Sequence, residues 1–239
     1  MAKITPYKNT KSKKEQIATM FNNIAENYDF LNHSLSFGMD NVWRKKAILE
    51  INKNAEAILD VATGTADFAI IAAKHTKAQI TGIDISQGML NIGAKKITKE
   101  KLSHRISLKK ADSEDIPFKN NSFDAITAGF GIRNFDDLRK GLKEIKRVLR
   151  VGGTIAILEP STPKYFPLKQ LYKLYFHHLL PKIGSLISND KDAYKYLPES
   201  VDAFPSGENF INLLKETGFK ECKYFPLSLG IVSLYIAIK

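Results

Sequence analysis

A chain of 239 residues, 44% of them apolar, can bury one substantial core in a single domain with at most a modest appendage. Its one cysteine, Cys222, excludes an internal disulfide, and its five histidines are scattered apart from the adjoining His177 and His178, so no metal site and a reducing, cytoplasmic setting are expected. No apolar run reaches the roughly 18–20 residues that span a bilayer, whereas the net charge of +11 favours polyanions, nucleic acid and anionic lipid alike.

Met1 to Gln16 is lysine-rich with no apolar stretch behind it, which excludes a secretory signal and predicts a solvated, frayed tail. Ile17, Met20, Phe21 and Ile24 then recur at helical spacing. The polar and aromatic stretch from Tyr28 to Gly38 reads as irregular, with a helix following around Trp43 to Ile51. From Ala57 onward, strand and helix alternate. Strands are expected at Ala57–Val61, Gln79–Ile85, Ile106–Lys110, Phe123–Phe130 and Thr154–Leu158, the last entered through a Gly152-Gly153 turn. Helices are expected at Phe68–Ala73, after the N-cap Ser86, and over Leu138–Leu149. Such alternation predicts an α/β fold with a mostly parallel sheet and helices on both faces.

Beyond Pro160 the pattern changes. Leu168–Leu180 is amphipathic, and Pro198 and Pro205 punctuate an irregular stretch. A helix over Gly207–Thr217 stops at Gly218, and Phe219–Phe225 and Ile231–Ile238 are spaced for an antiparallel hairpin. The expected organisation is an N-terminal helical, substrate-entry segment (residues 1–52) and a Rossmann-like domain (53–239) carrying a cap insertion at 160–206.

The first strand runs into Asp60-Val61-Ala62-Thr63-Gly64-Thr65-Ala66-Asp67, where Gly64 lets a ligand approach the backbone. Twenty positions on, Asp84 closes the second strand, where a carboxylate can accept from both ribose hydroxyls of a nucleoside. A tight turn and a capping aspartate would give the same letters, so the pair points to a nucleoside cofactor without identifying it. A dinucleotide needs further glycines to hold its pyrophosphate, but Thr65, Ala66 and Asp67 stand there instead, and Asp67 would repel a phosphate. A cationic sulfonium with a methionine tail suffers no such repulsion, and Asp60 is placed to hold water or the amino group of that tail. Asp112-Ser113 follows the third strand and can receive the adenine amino group. Arg133, just past Gly129-Phe130-Gly131, can stabilise a phenolate at the sheet edge, or form a surface salt bridge with Asp136 or Asp137.

These motifs resemble the class I methyltransferases. Met20-Phe21-Asn22-Asn23-Ile24-Ala25, Tyr28-Asp29-Phe30-Leu31-Asn32, Leu35-Ser36-Phe37-Gly38, Trp43-Arg44, Phe130-Gly131-Ile132-Arg133-Asn134 and Tyr196-Leu197-Pro198-Glu199-Ser200 narrow the resemblance to the menaquinone/ubiquinone biosynthesis C-methyltransferases, over about Ile17 to Lys239. The resemblance implies methyl transfer from S-adenosylmethionine to a ring carbon of demethylmenaquinol. Thr65, Asp84, Asp112 and Ser113 would then hold the cofactor, with Gly64 and Asp60 beside them, and Tyr28, Asn32 and Arg133 would face the quinol. Some relatives carry serine where this chain has Gly129, so no side-chain contact to the cofactor is implied at that position.

A quinone substrate implies contact with a lipid phase. Tyr165, Phe166, Tyr172, Tyr175 and Phe176, interleaved with Lys164, Lys169, Lys173 and Lys182, suit the surface of an anionic membrane, or equally a cap packed on the sheet or a homodimer contact. A cytoplasmic enzyme peripheral to the inner membrane surface is the resulting expectation. The alternatives are the same chemistry on a ubiquinone precursor, a small-molecule O-methyltransferase, a non-catalytic cofactor-binding protein, and an RNA methyltransferase. The last is suggested by charge, but the Pro-Pro-aromatic motif, the cysteine pair and an RNA-binding module are all missing, so no nucleic-acid partner is expected.

Overall fold

The computed structural model describes residues 4–176 and 190–239; His177, His178 and the end of the amphipathic stripe from Leu179 lie outside the described residues. Seven strands form one sheet in the order β3-β2-β1-β4-β5-β7-β6. They are β1 (Ala57–Val61), β2 (Gln79–Asp84), β3 (Ile106–Lys110), β4 (Phe123–Gly129), β5 (Leu149–Pro160), β6 (Lys220–Leu227) and β7 (Val232–Ile238). The first five are parallel, and β7 runs antiparallel to both of its neighbours. The chain order reverses between β1 and β4, so the crevice beyond their carboxyl ends is where this class of sheet binds ligands.

Alternating side chains divide the core between the two faces of the sheet. Ile58, Ile80, Ala156 and Leu158 meet Trp43 and Ala47 of α2 (Met39–Leu49) and Phe68 and Ala69 of α3 (Asp67–His75). Leu59, Val61, Ile126 and Ile157 meet Leu142 and Ile145 of α5 (Leu138–Val148) and Phe210 and Leu214 of α8 (Glu208–Glu216). Each buried leucine, isoleucine, valine or phenylalanine among them contributes about 1.5–3 kcal/mol relative to exposure. A third cluster joins α1 (Lys13–Leu35), α4 (Gln87–Lys99), α6 (Leu168–Leu174) and α7 (Lys191–Ala203) through Ile17, Met20, Ile24, Met89, Tyr172, Tyr196 and Val201.

Four expectations are corrected. The segment from Tyr28 to Leu35 is not irregular but continues α1. Its Asn, Asp and aromatic residues have modest helix propensity, yet Tyr28 packs edge-on against Phe21 at 6.0 Å, and Asp29 receives Lys96 at 2.6 Å. The first contact lies within α1 and the second reaches across to α4; tertiary contacts of the latter kind outweigh propensity. The described tail is not frayed either. Ser12 and Glu15 form a reciprocal capping box, the Tyr7 amide donates to Gln16 at 2.9 Å, and the Tyr7 hydroxyl donates to Asp190. Pro198 lies inside α7 rather than in a loop, in a helix whose Ala193, Tyr196 and Val201 are anchored in the third cluster. Finally, β5 begins at Leu149, opposite Phe123, and residues 150–153 bulge out before Thr154 rejoins β4 opposite Ala125.

Candidate active site

Two cavities meet at the carboxyl ends of β1, β2 and β4. The smaller is a cleft lined by Gly64, Asp84, Asp112, Ser113 and Glu114 from the sheet side and by Lys14, Ile17 and Phe21 of α1. Asp84 is buried there; one carboxylate oxygen accepts the Gly64 amide at 2.9 Å and the other the Ser86 amide at 2.8 Å. Each oxygen keeps a second lone pair, so the carboxylate can still receive two hydroxyl donors. Burial pushes its pKa up, against the pull of those backbone donors. Gly64 has φ +55°, and nothing lies within 4 Å of where a Cβ would stand, so a ligand can pass against its backbone.

Asp112 accepts the Glu114 amide at 2.8 Å and Lys14 at 2.7 Å, which fixes the turn carrying Ser113. Lys14 also bridges to Glu114 at 2.9 Å, and Glu114 receives the Asp136 and Asp137 amides at 2.7 and 3.1 Å. The amino-terminal end of α1 is thereby tied across the cleft. Farther along the helix, Asn22 accepts from the Ser86 hydroxyl and the Gly88 amide, both at 2.8 Å, and binds α1 to the start of α4.

A recess bordered by Gly64 and Gly129 leads to Asp60, which is 1% exposed and receives the hydroxyls of Thr63 at 2.5 Å and Thr127 at 2.7 Å. Burial raises its pKa to about 6, with the two hydroxyls opposing. Thr65 borders the same recess, but its hydroxyl is engaged by Asp29 and, at 3.2 Å, by Lys96. A nucleoside with a cationic tail fits this arrangement: a desolvated carboxylate for hydroxyls, an open backbone at Gly64, and carboxylates at Asp60, Asp84, Asp112 and Glu114 in a protein that is otherwise strongly basic.

The larger cavity is apolar and has a volume of about 520 Å³. It is walled by Met20, Ile24, Tyr28 and Asn32 of α1, by Trp43 and Arg44 of α2, and by Leu168, Leu171 and Tyr172 of α6. Phe21, Tyr28, Phe130 and Asn134 line both cavities and separate them. Tyr28 is hydrogen-bonded to Asn32, and burial raises its pKa against the opposing effects of that bond, Arg133 and Arg44. Arg44 lies 5.5 Å over the Phe130 ring and pairs with Asp40, where His33 and Asp67 also converge, so a guanidinium supplies the positive charge in that acidic group.

Arg133 also lines the larger cavity, and its buried pair is with Glu159 at 3.0 Å rather than with Asp136 or Asp137 at the surface. Asp137 caps α5 instead, accepting from the Lys140 amide. Glu159 is 1% exposed at the end of β5 and also accepts the amides of Ile132 at 2.7 Å and Arg133 at 3.3 Å; the Arg133 Nε reaches Ser200 of α7 at 3.3 Å. Burial raises the Glu159 pKa, and the guanidinium opposes the shift.

Gly64, Asp84, Asp112 and Ser113 thus share one cleft, Tyr28, Asn32 and Arg133 share the larger cavity, and Asp60 and Thr65 border the recess between β1 and β4. Lys14, Glu114 and Glu159 escaped the sequence reading, although two signals for them were present. Ser12-Lys-Lys-Glu15 has capping-box spacing, so Lys14 sits in a first helical turn, and Leu158-Glu159-Pro160 ends the apolar run Ile155-Ala-Ile-Leu158 in a carboxylate.

Comparison with known proteins identifies the family. The model of the ubiE/COQ5 methyltransferase family matches residues 9–239. The demethylmenaquinone methyltransferase of Bacteroides fragilis is 48% identical over 99% of this chain and 98% of its own. A ubiquinone/menaquinone biosynthesis C-methyltransferase of Geotalea daltonii is 47% identical over 95% and 97%. Among solved structures, a proposed S-adenosyl-L-methionine-dependent methyltransferase of Methanococcus maripaludis superposes with a TM-score of 0.66 over 98% of this chain and 96% of its own; at 23% identity, that likeness bears on the fold alone. The chain belongs to the ubiE/COQ5 methyltransferase family and is an S-adenosylmethionine-dependent methyltransferase.

Proposed function

We propose that the enzyme methylates a ring carbon of demethylmenaquinol to give menaquinol. The observation that carries the proposal is the shared wall of Phe21, Tyr28, Phe130 and Asn134, with an acidic nucleoside cleft on one side and a large apolar chamber containing a buried arginine on the other. The names of the Bacteroides and Geotalea relatives support the same substrate class.

In this reading Asp84 holds the ribose hydroxyls, the Asp112–Ser113 turn the adenine, and Asp60 the amino group of the tail, with Gly64 and Thr65 shaping the backbone between them. S-adenosylmethionine, when bound, supplies a methyl group on a cationic sulfonium. Arg133 provides fixed positive charge for the quinol oxygen beside the reacting carbon, favouring loss of its proton to water; a guanidinium with a pKa above about 12 stabilises this anion and is not the base. Tyr28 and Asn32 hold the ring against the shared wall, so orientation and exclusion of water do much of the work.

We further propose that the enzyme is cytoplasmic and that its chamber loads from the surface of an anionic inner membrane. Phe37, Leu171 and Met39 are exposed at the chamber's margin, Tyr165 and Phe166 are exposed just before α6, and Lys164 and Lys169 flank them. No described helix is long and apolar enough to cross a membrane.

The test offers radiolabelled S-adenosylmethionine with demethylmenaquinol, a demethylated ubiquinol precursor or bulk RNA. Label in demethylmenaquinol alone supports the proposal, label in both quinols widens it, and label only in RNA rejects it. Arg133→Ala is expected to keep cofactor affinity and lose turnover by roughly 10²–10³-fold; equal loss of both contradicts its role.

A further inference from the structure

Three consecutive residues of the loop after β1 are each held by a different aspartate. Thr63 donates its hydroxyl to Asp60 at 2.5 Å, the Gly64 amide donates to Asp84 at 2.9 Å, and the Thr65 hydroxyl donates to Asp29. The loop needs such support. Ala62 and Ala66, on either side of those three residues, have φ of +53° and +66°. A residue with a Cβ is strained there and keeps that conformation only where its surroundings impose it. Asp60 and Asp84 lie on β1 and β2 and border the recess and the cleft themselves. Asp29 differs. It comes from α1 and, with Asp67 and Lys96, borders a separate groove rather than the cleft, the recess or the chamber.

Thr65 is buried, and its hydroxyl donates to one oxygen of Asp29. Lys96 of α4 reaches the other Asp29 oxygen at 2.6 Å and the Thr65 oxygen at 3.2 Å, and it also pairs with Asp67. Hydrogen bonds to an ionised carboxylate are roughly twice as strong as neutral ones. The single proton of the Thr65 hydroxyl is committed to Asp29, so Thr65 has none to offer a ligand. What this residue can give the cofactor is the course of the backbone beside Gly64.

We propose that Asp29 is a positioning residue for the cofactor. Acting through Thr65, it holds the loop in the shape that leaves the Gly64 backbone open to S-adenosylmethionine, and it touches no ligand itself. This rests on the placement of the cofactor proposed above and is independent of the acceptor.

The test is a double-mutant cycle on the full-length protein with Asp29→Ala, Thr65→Val and the two combined. The readout is the dissociation constant of S-adenosylmethionine by calorimetry, with Tm recorded alongside. Lys96 keeps Asp67 in these variants, and Asn22 of α1 still accepts from Ser86 and Gly88, so the helix stays docked. Each single variant is expected to bind about tenfold more weakly, and the double variant no more weakly than either, because both remove the same contact. An unchanged affinity in Asp29→Ala, whatever its Tm, would overturn the proposal by leaving Asp29 a purely structural role. So would a loss in Thr65→Val alone, which makes that hydroxyl a ligand of the cofactor, or an additive loss of about a hundredfold in the double variant, which makes the two residues independent. Asp84→Ala on the same instrument separates the premises: affinity that survives it removes the cofactor placement and this inference together, whereas affinity lost there but intact in Asp29→Ala removes this inference alone.

Discussion

Glu159→Gln removes the charge that holds Arg133 while barely changing shape. In the wild type one carboxylate oxygen takes the Ile132 and Arg133 amides and the other faces the guanidinium at 3.0 Å. A glutamine can satisfy only one of these sides. If its oxygen serves the two amides, its NH₂ points at the guanidinium, donor against donor. The pair is almost wholly desolvated, with side chains 8% and 1% exposed. Removing one partner of a buried pair costs 3–5 kcal/mol when nothing replaces it; with partial hydrogen bonding retained, about 3 kcal/mol is expected. For a domain of this size that lowers Tm by about 6–12 °C. Displacing the guanidinium by about an ångström should also reduce kcat by roughly 10–100-fold. Cofactor affinity should hold, because Asp84 and the Asp112 turn do not touch this network. The assays are a thermal melt, cofactor titration calorimetry and steady-state methyl transfer on the same preparation. A variant with a lowered Tm but wild-type kcat would refute the claim that Glu159 sets Arg133 for catalysis, and one with neither effect would refute the buried pair.

Three other outcomes are expected. Asp84→Ala removes two hydroxyl acceptors and orphans the Gly64 and Ser86 amides, so S-adenosylmethionine affinity by calorimetry should fall about 100-fold or more; a change under threefold would dissociate Asp84 from the ribose. Gly131→Ala places a Cβ 2.5 Å from that of Ala62, and denaturant melts should show a loss of about 1–3 kcal/mol. Asp60 has a folded pKa near 6 against an ordinary 3.8. The native state therefore binds this proton more tightly, and stability from this group falls as pH rises through about 4 to 6. Asp60→Asn should lack that slope and gain on wild type by about 2 kcal/mol between pH 4.5 and pH 7.5; a difference that stays constant across those pH values would contradict the shifted carboxyl.

Much of the sheet was legible because its physics is local. The apolar runs at β1, β4 and β5 and the N-cap Ser86 each carry their signal within a few residues, and the antiparallel finish followed from two strands separated by a short turn. Asp84 could be placed because a carboxylate twenty residues after Gly64 reflects one βαβ step. Tyr28–Leu35 was misread because its helicity depends on Lys96 and Thr65, which only the fold brings near. The buried partner of Arg133 was not legible for a related reason, the sequence offering only a surface pair with Asp136 or Asp137 as the alternative to a catalytic role. Asp136 and Asp137 are close in sequence, whereas Glu159 becomes a neighbour through the parallel pairing of β4 with β5.

The position of α1 bears on the order of events in a catalytic cycle. Its first turns cover the nucleoside cleft through Lys14, Ile17 and Phe21, and its later turns wall the apolar chamber through Ile24, Tyr28 and Asn32. One continuous helix cannot swing away from the first without dismantling the second. With the donor in the cleft and the quinol in the chamber, as proposed above, a movement of α1 that frees one would couple exchange of the donor to release of the hydrophobic product, and steady-state kinetics would then follow a compulsory sequence rather than a random one. A lipid-soluble product released by such a movement would leave during the same opening that renews the donor, so that no ring waits in a chamber without a methyl group to receive.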